Sequence, residues 1–435
     1  MEYQSIEEYS FWREPPSAQT LGTIRNSYLE KLEGFSKSNA FITVSGARRA
    51  GKSVLLRQFI SRMQSIVPAK NILYLNYFLR AFQIFRNEEK LYQLLSWWRN
   101  QIDHEKQSFL ILDEIQELEN WEAIVADLAE DYQNRHKIII SGSNASLLGA
   151  ELSSNLSGRY FTLTVHPFTY LEFCDANNIS ALDRTSVTSF ISRGALPEPA
   201  LLESQMSREN LYNSIVYSTI QKDIIERYNP NNPVLIGSLI EYYSANYGCR
   251  VSLPNILNSI NTKIKKKEQV ALETIEKYTY YLAQVYFLYS CSVFSYRKKA
   301  LLERGPHKYY VNDWGLAASS PSIDRGRLLE NIVFMELIKY GYAVSTYLAY
   351  NGENREVDFI AKKKNITLYL QVVWSLESLE TNKNLYEREV GNLLAVKSSG
   401  EKIILTFDEV PPRLDVEGIA IVTPQEFFVR LVSAG

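Results

Sequence analysis

Hydrophobic positions along the chain follow two rhythms. Short apolar runs, nearly unbroken, end at glycine or at acids: Phe41-Ile-Thr-Val-Ser45, Phe109-Leu-Ile-Leu112 and Ile138-Ile-Ile140. Such runs predict strands buried on both faces, as a parallel sheet requires. Elsewhere apolar residues recur at helical spacing. That spacing predicts a helix over residues 21–35, another opening at Val54, and a long helical stretch over 209–228 stopped by Asn229-Pro-Asn-Asn-Pro233.

Residues 234–316 read as a smaller helical body. A helix over 235–247, a second started by Ser252-Leu-Pro254, and a third with Leu272, Ile275, Leu282 and Val285 in one stripe precede two short strand patterns, 292–299 and 307–311. Paired as a hairpin, those strands complete the order of a winged helix-turn-helix. The last third opens with an amphipathic helix over 327–340. Strands follow at 344–348, 356–360, 368–373 and 402–406, then 419–422 and a closing helix whose start, Thr423-Pro424-Gln-Glu426, has capping-box spacing. With 435 residues the chain is too long for one core. The reading is α/β, in three domains: 1–205 with a parallel sheet and a lead-in, 206–322 with a helical linker and the winged helix-turn-helix, and 323–435 as a C-terminal α/β domain.

The glycine run after the first strand carries the chemistry. Gly46-Ala47-Arg48-Arg49-Ala50-Gly51-Lys52-Ser53 has the form GxxxxGK[ST] between a strand and a helix beginning at Val54, the context a phosphate loop needs. Gly46 and Gly51 allow tight turns, so the backbone N–H groups of residues 46–54 face a nucleotide phosphate. The helix directs its positive end at the same anion. Lys52 reaches the β- and γ-phosphates in this reading, and the Ser53 hydroxyl holds Mg²⁺. Arg48 and Arg49 meet phosphate or another subunit, or are solvated.

Downstream, Leu110-Ile-Leu-Asp113-Glu114 puts two acids at the end of an apolar strand, where open α/β sheets bind ligands. Asp113 is expected to bind Mg²⁺ through water, and Glu114 to orient or deprotonate the attacking water. The strand Lys137-Ile-Ile-Ile-Ser141 is expected between the other two, with Ser143 or Asn144 beyond it sensing the γ-phosphate; a simple strand-end turn explains the same residues. Arg159 is a candidate arginine finger, acting within the chain or on a neighbouring subunit, with a solvated surface arginine as the equal alternative.

A net charge of −2 excludes a globally basic nucleic-acid binder but leaves room for local patches such as Lys263-Ile-Lys-Lys-Lys267. Those lysines would face DNA phosphates in a winged helix, or would simply be solvated. The three cysteines, Cys174, Cys249 and Cys291, have neither metal spacing nor a disulfide framework, which fits a reducing cytoplasm. The N-terminus is acidic without a signal-peptide core, and no apolar run approaches a membrane span.

These motifs, taken in order with Asn120-Trp-Glu122, Ser141-Gly-Ser-Asn-Ala145, Leu156-Ser-Gly-Arg159, Gly194-Ala-Leu-Pro-Glu198, Lys308-Tyr-Tyr-Val-Asn-Asp313-Trp-Gly315 and Glu356-Val-Asp358-Phe, resemble a widespread prokaryotic ATPase family. Its members join an AAA+-like P-loop domain of three layers to a winged helix and a C-terminal restriction-endonuclease-like domain. The resemblance implies ATP binding with Mg²⁺, hydrolysis and homo-oligomerisation. Nucleases of the D…(D/E)xK type need two acids to hold Mg²⁺ and a lysine beside them. Asp358 stands at the first acid position and Glu330 at the helix acid, but Gln371-Val-Val373 replaces Glu-x-Lys. Glutamine is a weak Mg²⁺ ligand and valine cannot replace lysine. Glu356, Lys362, Lys363 and Lys364 would compensate only through rearranged geometry. The expectation is a degenerate nuclease fold used for binding or structure. For the whole chain it is an Mg²⁺-dependent ATPase coupling nucleotide state to the two following domains, on DNA. The alternative is a slow nucleotide switch acting on a protein partner, with an ATP-gated nuclease disfavoured.

Overall fold

The computed structural model describes the chain except residues 1–3, 132–134, 146–157, 263–268, 296–299, 303–306, 318–323, 351–353, 377–385, 397, 409–415, 417 and 434–435. It divides into two compact units, Met1–His166 and Pro167–Gly435.

The first unit is built on five parallel strands, β1 (Phe41–Ser45), β2 (Ile72–Asn76), β3 (Phe109–Asp113), β4 (Lys137–Gly142) and β5 (Tyr160–Thr164), in the order β2-β3-β4-β1-β5. Side chains alternate across a strand, so each strand feeds two cores. Leu73, Leu75, Leu110, Leu112, Ile138 and Ile140 point to one face, against the helices Glu88–Arg99 and Trp121–Glu130. Ile42, Val44, Ile72, Tyr74, Phe109, Ile111 and Ile139 point to the other, against Asn26–Ser36 and Lys52–Met63. Three layers result, which is why the strands read as unbroken apolar runs. β4 lies between β1 and β3, so the ends of all three share one edge of the sheet.

Among its described residues the second unit contains ten further strands: β6 (Arg250–Val251), β7 (Leu288–Cys291), β8 (Val293–Ser295), β9 (Ala300–Leu302), β10 (His307–Val311), β11 (Ala343–Tyr350), β12 (Asn354–Lys363), β13 (Ile366–Val373), β14 (Glu401–Thr406) and β15 (Ala420–Val422). They form a three-stranded sheet, β6-β10-β7, and a seven-stranded sheet, β15-β14-β13-β12-β11-β8-β9. The helices Pro233–Asn246, Leu253–Asn261 and Leu272–Gln284 accompany the smaller sheet, with β6 between the first two. The hairpin expected from 292–299 and 307–311 does not form. β10 pairs antiparallel with β7 and β6, while β8 pairs with β9 and runs parallel to β11 in the larger sheet. The reason is burial: Tyr310 and Val311, opposite Tyr289 and Leu288 in that register, lose all exposure. The lysine run over 263–267 lies outside the described residues, as do Arg297, Lys298 and Lys299.

The boundaries expected at 205 and 322 do not divide the molecule; the break falls after His166. Residues following it are tied to the helix Arg325–Lys339 by a buried ion pair. Lys339 Nζ donates to Glu336 Oε1 at 2.9 Å and to the Phe168 carbonyl at 2.7 Å, and Tyr170 N donates to Glu336 Oε2 at 3.1 Å. Burial pushes the Glu336 carboxyl up from its ordinary value, and Lys339 draws it back. Asp313, fully buried, accepts from the backbone N–H of Ala195 at 2.8 Å, of Leu196, and of Gly315 at 2.7 Å. The segments around 194–198 and 308–316 are thus two sides of one joint. Among the described residues, no helix is long and apolar enough to cross a membrane.

Candidate functional site

The first unit brings three segments together at the carboxyl edge of its sheet. β1 ends at Ser45, and Gly46 follows with φ +147°. A Cβ there would overlap the Val165 carbonyl oxygen, so only glycine lets the loop leave the strand at this point. Arg49, at φ +67°, and Gly51, at φ +98°, turn the loop back into the helix Lys52–Met63. Gly51 is the N-cap and supplies no side-chain acceptor, so the first helical N–H groups point towards the loop's mouth. Lys52 is 4% exposed, and its Nζ donates to the carbonyls of Gly46 at 3.0 Å and Ala47 at 3.1 Å. Ser53 follows on the first helical turn, with Val54 after it.

Residues before β1, read from sequence only as a lead-in, brace this loop. The Arg25 guanidinium donates to the Ala50 carbonyl at 3.2 Å and to the His166 carbonyl at 2.9 Å, and lies 4.4 Å over the Tyr28 ring. Gln58, on the loop's helix, accepts from Arg25 N at 3.2 Å and donates to the Leu21 and Thr23 carbonyls at 2.6 and 2.7 Å. Nothing in the periodicity marks Arg25 or Gln58, because their partners are backbone atoms distant in sequence.

At the end of β3, Asp113 is fully buried and held on both oxygens. Oδ2 accepts from Tyr74 OH at 2.7 Å and Asn76 Nδ2 at 2.8 Å, and Oδ1 from Ser141 Oγ. Burial, followed by the Asp113 charge, raises the Tyr74 hydroxyl well above its ordinary value, so it stays a donor. Glu114 has left-handed backbone, φ +59° and ψ +53°. Its N–H donates to Ser141 Oγ at 3.2 Å, and its Oε2 accepts from Gln116 Nε2 at 2.7 Å. Burial pushes the Glu114 carboxyl up from its ordinary value; Lys52 pulls it back, Asp113 adds to the rise, and Gln116 and Arg48 oppose it. The charges of Lys52 and Arg48 therefore act on Glu114 across the gap spanned by β4. Arg48 also lies 5.7 Å over the Phe78 ring.

Ser141, in β4, makes the side-chain contacts to Asp113 and Glu114 that the sequence reading missed, as it missed Tyr74, Asn76 and Gln116. For Tyr74, Asn76 and Ser141 the signal was position, at the polar end of the strands neighbouring β3; Gln116 lies two residues past Glu114. Ser143 and Asn144, expected at the γ-phosphate, lie just past β4 and are 4% and 0% exposed. Arg159 is elsewhere. Its carbonyl accepts from Phe41 N, at the start of β1, and its guanidinium pairs with Glu130. A strand of this length spans about 16 Å, so within its own chain Arg159 faces away from the phosphate loop. The reading as an in-chain finger is corrected on that ground.

Comparison with known proteins agrees with this geometry for part of the chain. Residues 38–174 match the family model described as AAA domain. The first unit is thus similar to an AAA-type P-loop domain over those residues. Residues 184–325 match a second model, described as Domain of unknown function (DUF8612). The chain is 29% identical over 405 residues to an uncharacterized protein of Haemophilus influenzae, covering 92% of this chain and 96% of that one. It is 28% identical over 401 residues to the uncharacterized protein MJ1544 of Methanocaldococcus jannaschii, covering 87% and 85%. Among solved structures, the Walker-type ATPase PABY2304 of Pyrococcus abyssi matches with 16% identity and a TM-score of 0.43, over 71% of this chain and 99% of that one.

Proposed function

We propose that the first unit binds Mg²⁺-ATP and hydrolyses it. The observation that carries this reading is the meeting, at one sheet edge, of the phosphate loop with the Asp113–Glu114 pair, close enough that Lys52 and Arg48 act on the Glu114 carboxyl. In this reading the N–H groups of residues 46–54 surround the β-phosphate. Lys52 exchanges its two carbonyl partners for phosphate oxygens. Glu114 accepts a proton from the attacking water, and Gln116 keeps its carboxylate aimed.

A carboxylate offers about four lone-pair sites, and Asp113 already spends three on Tyr74, Asn76 and Ser141. One remains, so Asp113 would hold a magnesium ion through water, and the Ser53 hydroxyl would be a further ligand. The ion would supply charge neutralisation on the phosphates. Ser143 and Asn144 are assigned to the γ-phosphate side. Arg159, facing away from its own loop, is left with a role on a neighbouring copy in a homo-oligomer or with the solvated surface position where it pairs with Glu130.

Nucleotide state is read by the second unit. Steady-state ATP turnover tests the proposal, with Lys52→Ala and Glu114→Gln as controls. Loss of nucleotide binding in the first, and binding without turnover in the second, support it; turnover unaffected by both overturns it. Measured with and without duplex DNA, the same assay separates the two effectors. Turnover that rises with DNA and falls with salt supports a DNA-coupled ATPase. Slow turnover indifferent to DNA supports the switch acting on a protein partner.

A further inference from the structure

The acids that a D…(D/E)xK nuclease would use to hold Mg²⁺ surround a lysine instead. Lys308, on β10, is 7% exposed. Its Nζ lies 2.8 Å from Glu330 Oε1, 3.2 Å from Glu356 Oε1 and 3.3 Å from Asp358 Oδ1. Glu330 comes from the helix Arg325–Lys339, and Glu356 and Asp358 from β12. The same carboxylates have further partners. Tyr310 OH donates to Glu330 Oε1 at 2.6 Å, Val372 N to Asp358 Oδ2 at 3.0 Å, and Arg250 pairs with Glu356 Oε2 at 3.2 Å.

Gln371, at the second acid's position, is equally committed. Its Oε1 accepts from Asp358 N at 3.3 Å and its Nε2 donates to Glu389 Oε2 at 2.5 Å, while Arg388 pairs with Glu389 Oε1. The lysines expected to compensate turn elsewhere: Lys362 lies 4.7 Å over the Phe294 ring and Lys363 5.4 Å over Tyr342. Among the described residues no group of three acids, histidines or cysteines has the geometry to hold a metal ion. The residues present therefore do not fit a nuclease's Mg²⁺.

We infer that Lys308 is the permanent cation of this carboxylate nest, and that the nest is a clamp fastening the β6-β10-β7 sheet to the C-terminal sheet rather than a metal centre. Four carboxyls, Glu330, Glu356, Asp358 and Glu389, meet three cations, Lys308, Arg250 and Arg388, and burial pushes the Glu330 carboxyl up to about 7. Burial by itself would pull the Lys308 ammonium down, but Glu330, Asp358 and Glu356 together lift it well above its ordinary value. The lysine therefore keeps its proton and its place.

Beside it, Asn331 closes the same joint. It accepts from Val311 N at 2.9 Å and donates to the Val311 carbonyl at 3.0 Å, capping both backbone groups of β10's last residue. Arg250 extends the clamp to β6, so the small sheet is tied through two of its three strands. The parts expected as separate winged-helix and C-terminal domains would then move as one body. A nucleotide-driven change would shift them together.

The test uses the full-length, nucleotide-free chain. Mn²⁺ is titrated calorimetrically into the wild type and Asp358→Asn, and amide exchange is followed at residues 307–311 in the wild type, Lys308→Met, and Lys308→Met combined with Glu330→Gln and Asp358→Asn. The clamp predicts identical Mn²⁺ isotherms for the wild type and Asp358→Asn. It predicts exchange faster by roughly 100-fold or more in Lys308→Met, the scale of losing one partner of a buried ion pair. It predicts slow exchange regained in the neutralised triple variant. An Mn²⁺ site lost in Asp358→Asn would overturn the inference, a result that needs no lysine variant to fold. So would a triple variant as loose as Lys308→Met, because the lysine would then not be acting as a counter-charge.

Discussion

Replacing Glu114 by glutamine should separate chemistry from binding and raise stability at the same time. The side chain is 8% exposed, and Gln116 Nε2 donates to its Oε2 at 2.7 Å. Glutamine has the same shape and keeps an acceptor for Gln116, so the loop need not move. What disappears is the base. Losing a positioned general base costs about 10²–10⁴ in rate, or about 2.7–5.5 kcal/mol of barrier at ~1.36 kcal/mol per decade. Nucleotide affinity should hold.

The stability arm follows from the raised Glu114 carboxyl, whose first cause is burial. A carboxyl raised in the folded state contributes stability below its unfolded value, and that contribution is lost as pH rises through the folded value. At neutral pH the charged form is therefore a net cost, and glutamine removes it. Thermal unfolding of the variant at neutral pH should occur at a higher temperature than the wild type, with the gap closing in acid. In turnover against pH, the wild type should lose activity at a higher pH than an ordinary glutamate would dictate. Single-turnover ATP hydrolysis with quantified nucleotide binding reads the first arm, and calorimetric melting reads the second. Wild-type turnover in Glu114→Gln would remove the residue from the mechanism. A melting temperature that falls would show that Glu114 is held by its charge partners more strongly than burial opposes it.

Other substitutions test the surrounding geometry. Ser141→Ala strips one donor from the buried Asp113 and an acceptor from Glu114 N, and should cost about 1–3 kcal/mol of first-unit stability and raise the Mg²⁺ needed for half-maximal turnover; an unchanged Mg²⁺ titration would contradict the assigned contacts. Gly46→Ala drives a Cβ into the Val165 carbonyl oxygen. Overpacking of this kind costs about 1–3 kcal/mol, and fluorescent-nucleotide binding should fall with the melting temperature. Glu336→Ala leaves the fully buried Lys339 without its charge partner, a loss of about 3–5 kcal/mol readable by urea denaturation; a change inside measurement error would show that the Phe168 carbonyl alone satisfies the lysine.

Much of the first unit was legible before any coordinates. Strands buried on both faces must be apolar at every position, so β1, β3 and β4 announced themselves. Glycines at 46 and 51 are required by backbone geometry, and so are readable one residue at a time. The sequence also marked Lys52, Ser53, Asp113 and Glu114 as candidates for one kind of chemistry, since their spacing from strand ends is local.

Tertiary structure decided everything that depends on partners far apart in the chain. Arg25 reaches Ala50 and His166, Ser141 reaches Asp113, and Lys308 reaches Glu330 and Asp358. A charged side chain in a sequence carries no mark of which opposite charge will neutralise it. Lys308 looked like one more basic residue of a wing, and only the packing of β10 against β12 made it the cation of a buried nest. The joint between residues 167–200 and the helix Arg325–Lys339 is hidden for the same reason: a buried ion pair and a few backbone hydrogen bonds hold it, and neither leaves a period in the sequence. Periodicity reports which face of an element is buried. It does not report against what.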